Sequence, residues 1–423
     1  MNYLITGVSG IIGPAKNRQK PVSGYDANRI DLVEGEGIFV RNGVIESILE
    51  ASDFDKIRKN FRIREIDAHG NIVMPGLIDS HTHIVFSGTR ESEFYQKIAG
   101  MSYLEIQESG GGIYRTFNDV ALSSDTDIFR QTMRRVYSAI SNGTTSMEMK
   151  TGYGIDRNNE AKLIRVMNLI AGTRLVNVKK TFLGLHVIPQ GFSETEYVEM
   201  VCEKMLPEFS EEVDFVDIFC DKGAFGPESL VKLEKKAQNL NIPLRIHSNE
   251  IADIGCLDHL THFNIASVDH LINLSGGNLD SIKRSGAMVA LLPITAYSLD
   301  SMKMPDYRRF SDAGIPVSIA TDCSPSTYSS NLLYAIYLAV RFSHFSVESA
   351  INAITFNPSF SLGMSGERGS IEKGKMADII VLDVDDYRKI VYEYDSGIVR
   401  NVFINGKLII NNKVPNGKLK NFA

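Results

Sequence analysis

The chain has few cysteines, no long apolar run and no block of like charge, and each lack removes a class of protein. Its four cysteines, Cys202, Cys220, Cys256 and Cys323, show no CxxC spacing. Neither a disulfide framework nor a zinc knuckle is therefore expected, and a reducing compartment, the cytoplasm, is the natural reading. The longest aliphatic run, 287–292, is stopped by Pro293, and the N-terminus reads Met1-Asn2-Tyr3-Leu4-Ile5 with no basic n-region before an apolar core. A signal peptide and a membrane span are both unexpected. Lys and Arg number 45 against 51 Asp and Glu, with no run of five or more of one sign. No face is then built to displace counterions from phosphates, so nucleic acid is not an expected partner.

A helix is missing where one nucleotide motif would need it. Thr6-Gly7-Val8-Ser9-Gly10-Ile11-Ile12-Gly13 looks like a dinucleotide-binding glycine turn, but Pro14 to Pro21 carries two prolines and no apolar stripe. A pyrophosphate needs the N-terminus of a following helix, so this segment reads as a strand and turn.

What is present is a globular composition, 43 % hydrophobic over 423 residues, which fits one α/β barrel of about 250 residues plus a smaller module. Asn42-Gly43 and Asn405-Gly406 each sit between apolar runs and predict two-residue hairpins near both ends of the chain. In between, short apolar runs near 72–83, 144–150, 181–186, 213–220, 243–247, 265–271, 288–292 and 317–322 alternate with helical patterns. Ser193 to Glu196 is a capping box, followed by Tyr197, Val201 and Met205 on one helical face. Strand and helix repeated eight times predict a (β/α)8 TIM barrel over 73–364. Segments 1–72 and 365–423 are expected to pair as one small discontinuous β-sandwich-like domain.

The nine histidines carry the functional signal. The period of a strand puts His81 and His83 on one side, aimed into the barrel mouth. His186, His247, His270 and Asp322 each end an apolar run. Polar tips on successive barrel strands converge at the C-terminal face, and imidazole nitrogen with carboxylate oxygen suits zinc or a similar divalent ion. His69, His259, His262 and His344 lie off strand tips and read as surface or packing residues.

Pro75-Gly76-Leu77-Ile78-Asp79-Ser80-His81-Thr82-His83 resembles the first-strand signature of the amidohydrolase superfamily. More narrowly, the chain resembles the imidazolonepropionase family, nearly end to end. The shared landmarks are Arg90 in Phe86-Ser87-Gly88-Thr89-Arg90-Glu91, Ser102-Tyr103-Leu104, Gly110-Gly111-Gly112-Ile113, Glu148-Met149-Lys150-Thr151-Gly152-Tyr153-Gly154, His186 and His247-Ser248-Asn249-Glu250. Ala353 to Pro358 and Gly374 to Ile379 extend the match.

The resemblance implies one divalent metal per subunit, Zn2+ or Fe2+/Fe3+, on His81, His83, His247 and Asp322. It implies catalytic roles for Glu250, His270 and Asp322, and substrate contacts from Arg90, Tyr103, Tyr153, His186, Glu250, Ser324, Ser326 and Thr327. The implied substrate is a small anionic molecule, 4-imidazolone-5-propanoate, whose ring amide is hydrolysed. Gly110 to Gly112 form either a flexible loop or an N–H nest for a carboxylate. One departure stands out: the family usually reads Asn-Pro-Gly shortly after the metal aspartate, where this chain reads Cys323-Ser324-Pro325-Ser326-Thr327. No lysine ends strand four, since Lys222 lies past its tip, so one metal is expected rather than two. The rival readings are a deaminase of a purine or pyrimidine, which would share the metal ligands, and a scaffold that has lost its chemistry. A homodimer is left open.

Overall fold

The computed structural model describes residues 1–13, 19–33, 35–101, 105, 111–260, 264–299 and 303–422. Tyr103, Gly110 and His262 lie outside this set, as does the side chain of His259.

Eight strands pair in chain order, all parallel: Leu77–Asp79, Thr144–Lys150, Asn177–Leu185, Phe215–Cys220, Leu244–Ser248, Ile265–His270, Met288–Leu291 and Val317–Ile319, here strands one to eight. Side chains and loop backbone join the first to the last. Thr321 donates from its N–H and hydroxyl to the Asp79 carboxylate at 3.0 and 2.6 Å, and Asp322 N–H donates to the His81 carbonyl at 3.1 Å. These contacts draw the ends of the sheet together as a (β/α)8 barrel.

The strands form where apolar residues are continuous because both faces are covered, one by barrel interior and one by helices. The helices start where side chains can take orphan N–H groups. Ser124 caps Asp125–Ser141, Asp156 caps Arg157–Thr173, and the expected capping box of Ser193 and Glu196 opens Glu194–Met200. Tyr197, Val201 and Met205 are buried along that helix and the π-helical turn that continues it.

A second, mixed sheet of nine strands draws on both ends of the chain, with Asn2–Gly13 parallel to Ile63–Pro75 and Ile379–Leu382 antiparallel to the latter. Both hairpins form as expected, Gly37–Arg41 with Val44–Leu49 and Val399–Ile404 with Lys407–Asn411. Their turns need the left-handed backbone of Asn42, Gly43, Asn405 and Gly406. They also touch, for a Cβ on Gly406 would lie 2.3 Å from the Gly43 Cα, so only glycine fits. The glycine motif near the N-terminus is part of strand Asn2–Gly13.

The segment 72–83 is not one strand. The stretch Ile63–Pro75 belongs to the second sheet and runs past residue 72, while the barrel begins at Leu77. The switch occurs at Gly76, where a Cβ would lie 2.3 Å from the Thr145 side chain. His81 and His83 therefore stand beyond the regular strand, not on it. The cysteine reading is also corrected. Cys220 and Cys256 form a disulfide, leaving Cys202 and Cys323 free. Residues 36 apart in sequence meet because the tip of strand four and the loop after strand five are spatial neighbours. Cysteine usage then no longer argues for a reducing compartment. Among the described residues no helix is long and apolar enough to cross a membrane.

Candidate metal centre and active site

At the C-terminal mouth of the barrel three imidazoles turn Nε2 inward. His83 Nε2 lies 3.3 Å from His81 Nε2 and 3.0 Å from His247 Nε2, and the three side chains form a buried group able to hold a metal ion. Asp322 Oδ1 is 3.5 Å from His83 Nε2 and 3.7 Å from His81 Nε2. Zinc–nitrogen bonds of about 2.0–2.1 Å at tetrahedral angles separate ligand atoms by roughly 3.3 Å, so the spacing fits.

The outer nitrogens explain the orientation. His81 Nδ1 meets Asp269 Oδ2 at 2.7 Å and His247 Nδ1 meets Asp217 Oδ1 at 3.1 Å. A carboxylate on Nδ1 holds the proton there and leaves the Nε2 lone pair facing inward, the arrangement of a metal-binding histidine. Burial, reinforced by neighbouring positive charge, holds His81 and His83 well below the usual histidine range, so both rings are neutral near pH 7.

The carboxylates behind these rings are held by cations. Lys150 Nζ donates to Glu148 Oε1 at 2.7 Å and Asp217 Oδ2 at 2.6 Å. Burial opposes charge on Lys150, but Asp217 and Glu148 outweigh it and raise its pKa. Burial likewise opposes ionisation of Asp217, yet His247 and Lys150 hold its carboxyl below the ordinary range. Arg245 donates to the Ser80 carbonyl at 2.8 Å and lies 3.5 Å from Asp269. This lysine at the tip of strand two is committed to its carboxylates.

Around the centre stand Glu250, His270, Tyr153 and His186. Glu250 Oε2 approaches His270 Nδ1 to 3.6 Å, and both His270 nitrogens lack a hydrogen-bond partner among the described residues. Burial pushes the Glu250 carboxyl up to about 8, with Asp322 and Asp221 adding to the shift. Asp322 is pushed up to about 6, again by burial, although its Oδ2 accepts from Thr295 at 2.6 Å. His186 stacks on His83 with centroids 5.1 Å apart and donates from Nδ1 to the Gly152 carbonyl at 3.0 Å; burial pushes it down to about 4. Tyr153 packs against both rings at 6.0 and 5.3 Å, and burial raises its phenol. His270, Leu271, Asn249, Ile155 and Asp322 all carry positive φ. Such backbone strain gathers at functional sites.

Arg90 immediately precedes helix Glu91–Ile98 without capping it through its side chain, and pairs with the buried Glu93 at 2.6 Å. Glu93 also accepts from Gly112 N–H at 3.0 Å, so the carboxylate met by that glycine is the protein's own. Ser324 accepts from Thr327 N–H at 3.2 Å and touches Ser326 at 3.1 Å. Thr327 reaches Thr295 at 3.4 Å and, through it, Asp322. His69 and His344 are exposed, each near an aspartate.

The supports Asp217, Asp269, Lys150, Arg245 and Thr295 were not expected from strand tips alone. The signal that finds most of them is a charge inside an apolar strand: Asp217 within Phe215–Cys220, Arg245 two positions before His247, and Asp269 immediately before His270.

The barrel and its histidine centre define a class. Residues 72–409 match the amidohydrolase family, and the solved adenosine deaminase from Xanthomonas campestris superposes with a TM-score of 0.74 at 15 % identity, covering 99 % of this chain and 95 % of that one. E. coli guanine deaminase superposes at 0.70 and 14 % identity, over 97 % and 100 % of the two chains. At such identities the likeness shows the fold alone.

Closer relatives narrow the class. Imidazolonepropionase of Thermoplasma volcanium is 43 % identical over 96 % of this chain and 97 % of its own length, and that of Picrophilus torridus 42 % identical over 94 % and 98 %. The chain belongs to the imidazolonepropionase family.

Proposed function

We propose that the protein hydrolyses the ring amide of 4-imidazolone-5-propanoate to N-formimidoyl-L-glutamate, a step of histidine degradation. The observation that carries this reading is the 43 % identity to an imidazolonepropionase across nearly the whole chain. The geometry at the barrel mouth supports it. His81, His83 and His247, with Asp322, would hold one divalent ion, zinc or iron. When bound, such an ion supplies Lewis acidity, which lowers the pKa of water from 15.7 to about 7. The commitment of Lys150 to Glu148 and Asp217 supports a single ion.

Hydrolysis adds water across the ring C–N bond: oxygen joins the carbonyl carbon, the bond to nitrogen breaks, and a proton goes to that nitrogen. A carboxyl titrating near neutrality suits proton transfer, and Glu250, pushed up to about 8, would hold the ring N–H through its carbonyl oxygen or, in its ionised form, take a proton from water. Asp322 Oδ2, oriented by Thr295, would pass a proton to the leaving nitrogen. The unpartnered His270 nitrogens would orient the carbonyl oxygen. Tyr153 and His186 would flank the ring. Arg90 would take the propanoate carboxylate in exchange for part of its contact with Glu93, and Ser324, Ser326, Thr327 and Tyr103 would complete the tail's surroundings. The protein is expected to be a cytoplasmic enzyme divided near the expected bounds 1–72, 73–364 and 365–423, with the first β-segment carried on to Pro75 by its last strand.

Assay of formimidoyl-glutamate from imidazolone propanoate tests the reaction. Arg90→Ala tests the substrate's charge: truncating one partner of a desolvated pair costs about 2–5 kcal/mol, roughly thirtyfold to several thousandfold in kcat/KM. Full activity in that variant, or preference of the wild type for a neutral heterocycle, would move the reading to a deaminase.

A further inference from the structure

Glu250 is not on a strand. Strand five ends at Ser248, Asn249 is left-handed with φ 55°, and Glu250 opens the loop that follows. Among the described residues the one ion-pair approach of its carboxyl is the 3.6 Å to His270, so its position is set chiefly by its backbone. That backbone is gripped from two sides. Asp221, immediately after strand four and 1 % exposed, accepts from Glu250 N–H at 2.7 Å and Ile251 N–H at 3.1 Å through Oδ2, and from Ala252 N–H at 2.9 Å through Oδ1. Across the loop, Asn273 Nδ2 donates to the Glu250 carbonyl at 2.8 Å and the Ile251 carbonyl at 3.0 Å.

We propose that Asp221, aided by Asn273, is a positioning residue that sets the Glu250 carboxyl against the substrate. The proposal rests on the reading of Glu250 as the proton-handling group. Three backbone N–H groups of one loop converge on the two oxygens of this single side chain. An amide oxygen in place of the carboxylate can accept fewer of them. The same device recurs beneath Tyr153, where Glu160 Oε1 accepts from Gly152, Gly154 and Ile155 N–H at 3.2, 2.6 and 3.2 Å, which supplies an internal control.

The test uses the metal-loaded enzyme and two readouts. Hydrogen exchange across 249–256 is expected to be slow in the wild type, faster in Asp221→Asn and fastest in Asp221→Ala. Displacing a reacting group by about 1 Å costs on the order of 100-fold, so kcat is expected to fall by about that factor in Asp221→Ala and by roughly tenfold in Asp221→Asn, with KM within about threefold. If Asp221→Ala does not fold, Asn273→Ala carries the same expectation as Asp221→Asn. In a Glu250→Gln background, Asp221→Asn should cost less than about twofold more, whereas combined with Glu160→Gln its effect should multiply, since independent sites add in free energy. Unchanged exchange at 250–252 in Asp221→Ala overturns the clamp. An undiminished loss in the Glu250→Gln background overturns its action through Glu250. A wild type that opens no imidazolone ring overturns the proposed function instead, and exchange then decides the clamp alone.

Discussion

Two layers of buried ionisable groups lie one above the other in the barrel and differ in what they face: opposite charge in the lower layer, where among the described residues only Arg245 Nε and Asp269 Oδ1 lack a hydrogen-bond partner, and like groups in the upper. In the lower layer Lys150 and Arg245 face Glu148, Asp217 and Asp269, and the lysine makes two short ion pairs. In the upper layer the Nε2 atoms of His81, His83 and His247 meet mainly one another, while His83 Nδ1 and both nitrogens of His270 have no partner among the described residues. Burial alone therefore does not mark a site. Buried nitrogens crowded against one another with no counter-charge cost free energy, and a cation among the three facing Nε2 atoms would relieve that cost. The lower layer favours the same cation, since it sets three carboxylates against two cations.

The largest effect expected of this contrast is on activity. His83→Ala removes the imidazole central to the cluster, so metal content and turnover should fall together, turnover by about 10⁴-fold or more. Elemental analysis beside the formimidoyl-glutamate assay checks it, and activity surviving metal loss would show that the upper layer is not a catalytic centre. Lys150→Met attacks the lower layer and should show in stability, because Glu148 and Asp217 are left buried without their cation. Breaking a buried pair costs about 3–5 kcal/mol. Denaturant unfolding of the metal-free variant should find that loss, larger than for His83→Ala under the same conditions; the reverse order would erase the distinction between the layers.

The disulfide gives a third test at the rim. Thiol titration of the unfolded, unreduced protein should find two reactive cysteines, Cys202 and Cys323, and reduction should lower stability by about 2–4 kcal/mol. Four reactive thiols would refute the bridge. Its absence from the sequence reading has the same origin as the other misses. Local signals were legible: the two Asn-Gly turns, the Ser193 cap, seven of the eight apolar runs and the histidines near the strand ends. What needs two strands side by side was not. The Cys220 and Cys256 meeting, the switch of sheets at Gly76 and the Asp217 and Asp269 supports all depend on register between segments dozens of residues apart. A charge in an apolar strand gives only a hint of them.

The smallest effect, and the one that separates the layers by sign, is on the pH dependence of stability in the metal-free protein. Asp217 in the lower layer has its carboxyl held below the ordinary range. Its contribution is present above the unfolded pKa and is lost as pH falls through the folded one. Glu250 in the upper layer runs the other way. Its folded pKa is pushed up to about 8 from an unfolded value of 4.5, so the unfolded chain gives up the proton first as pH rises. Its contribution is full below pH 4.5 and is lost as pH rises through about 8. Glu250→Gln removes that dependence. It should therefore unfold like the wild type at pH 4, apart from a constant offset, and gain relative to it by about 1–2 kcal/mol by pH 9, allowing for partial access of water to the ionised carboxylate. Denaturant titrations of the two proteins across that range read the difference directly. A wild type and variant that stay parallel from pH 4 to pH 9 would place Glu250 in a satisfied environment like that of Asp217, and the contrast between the layers would end at the histidines.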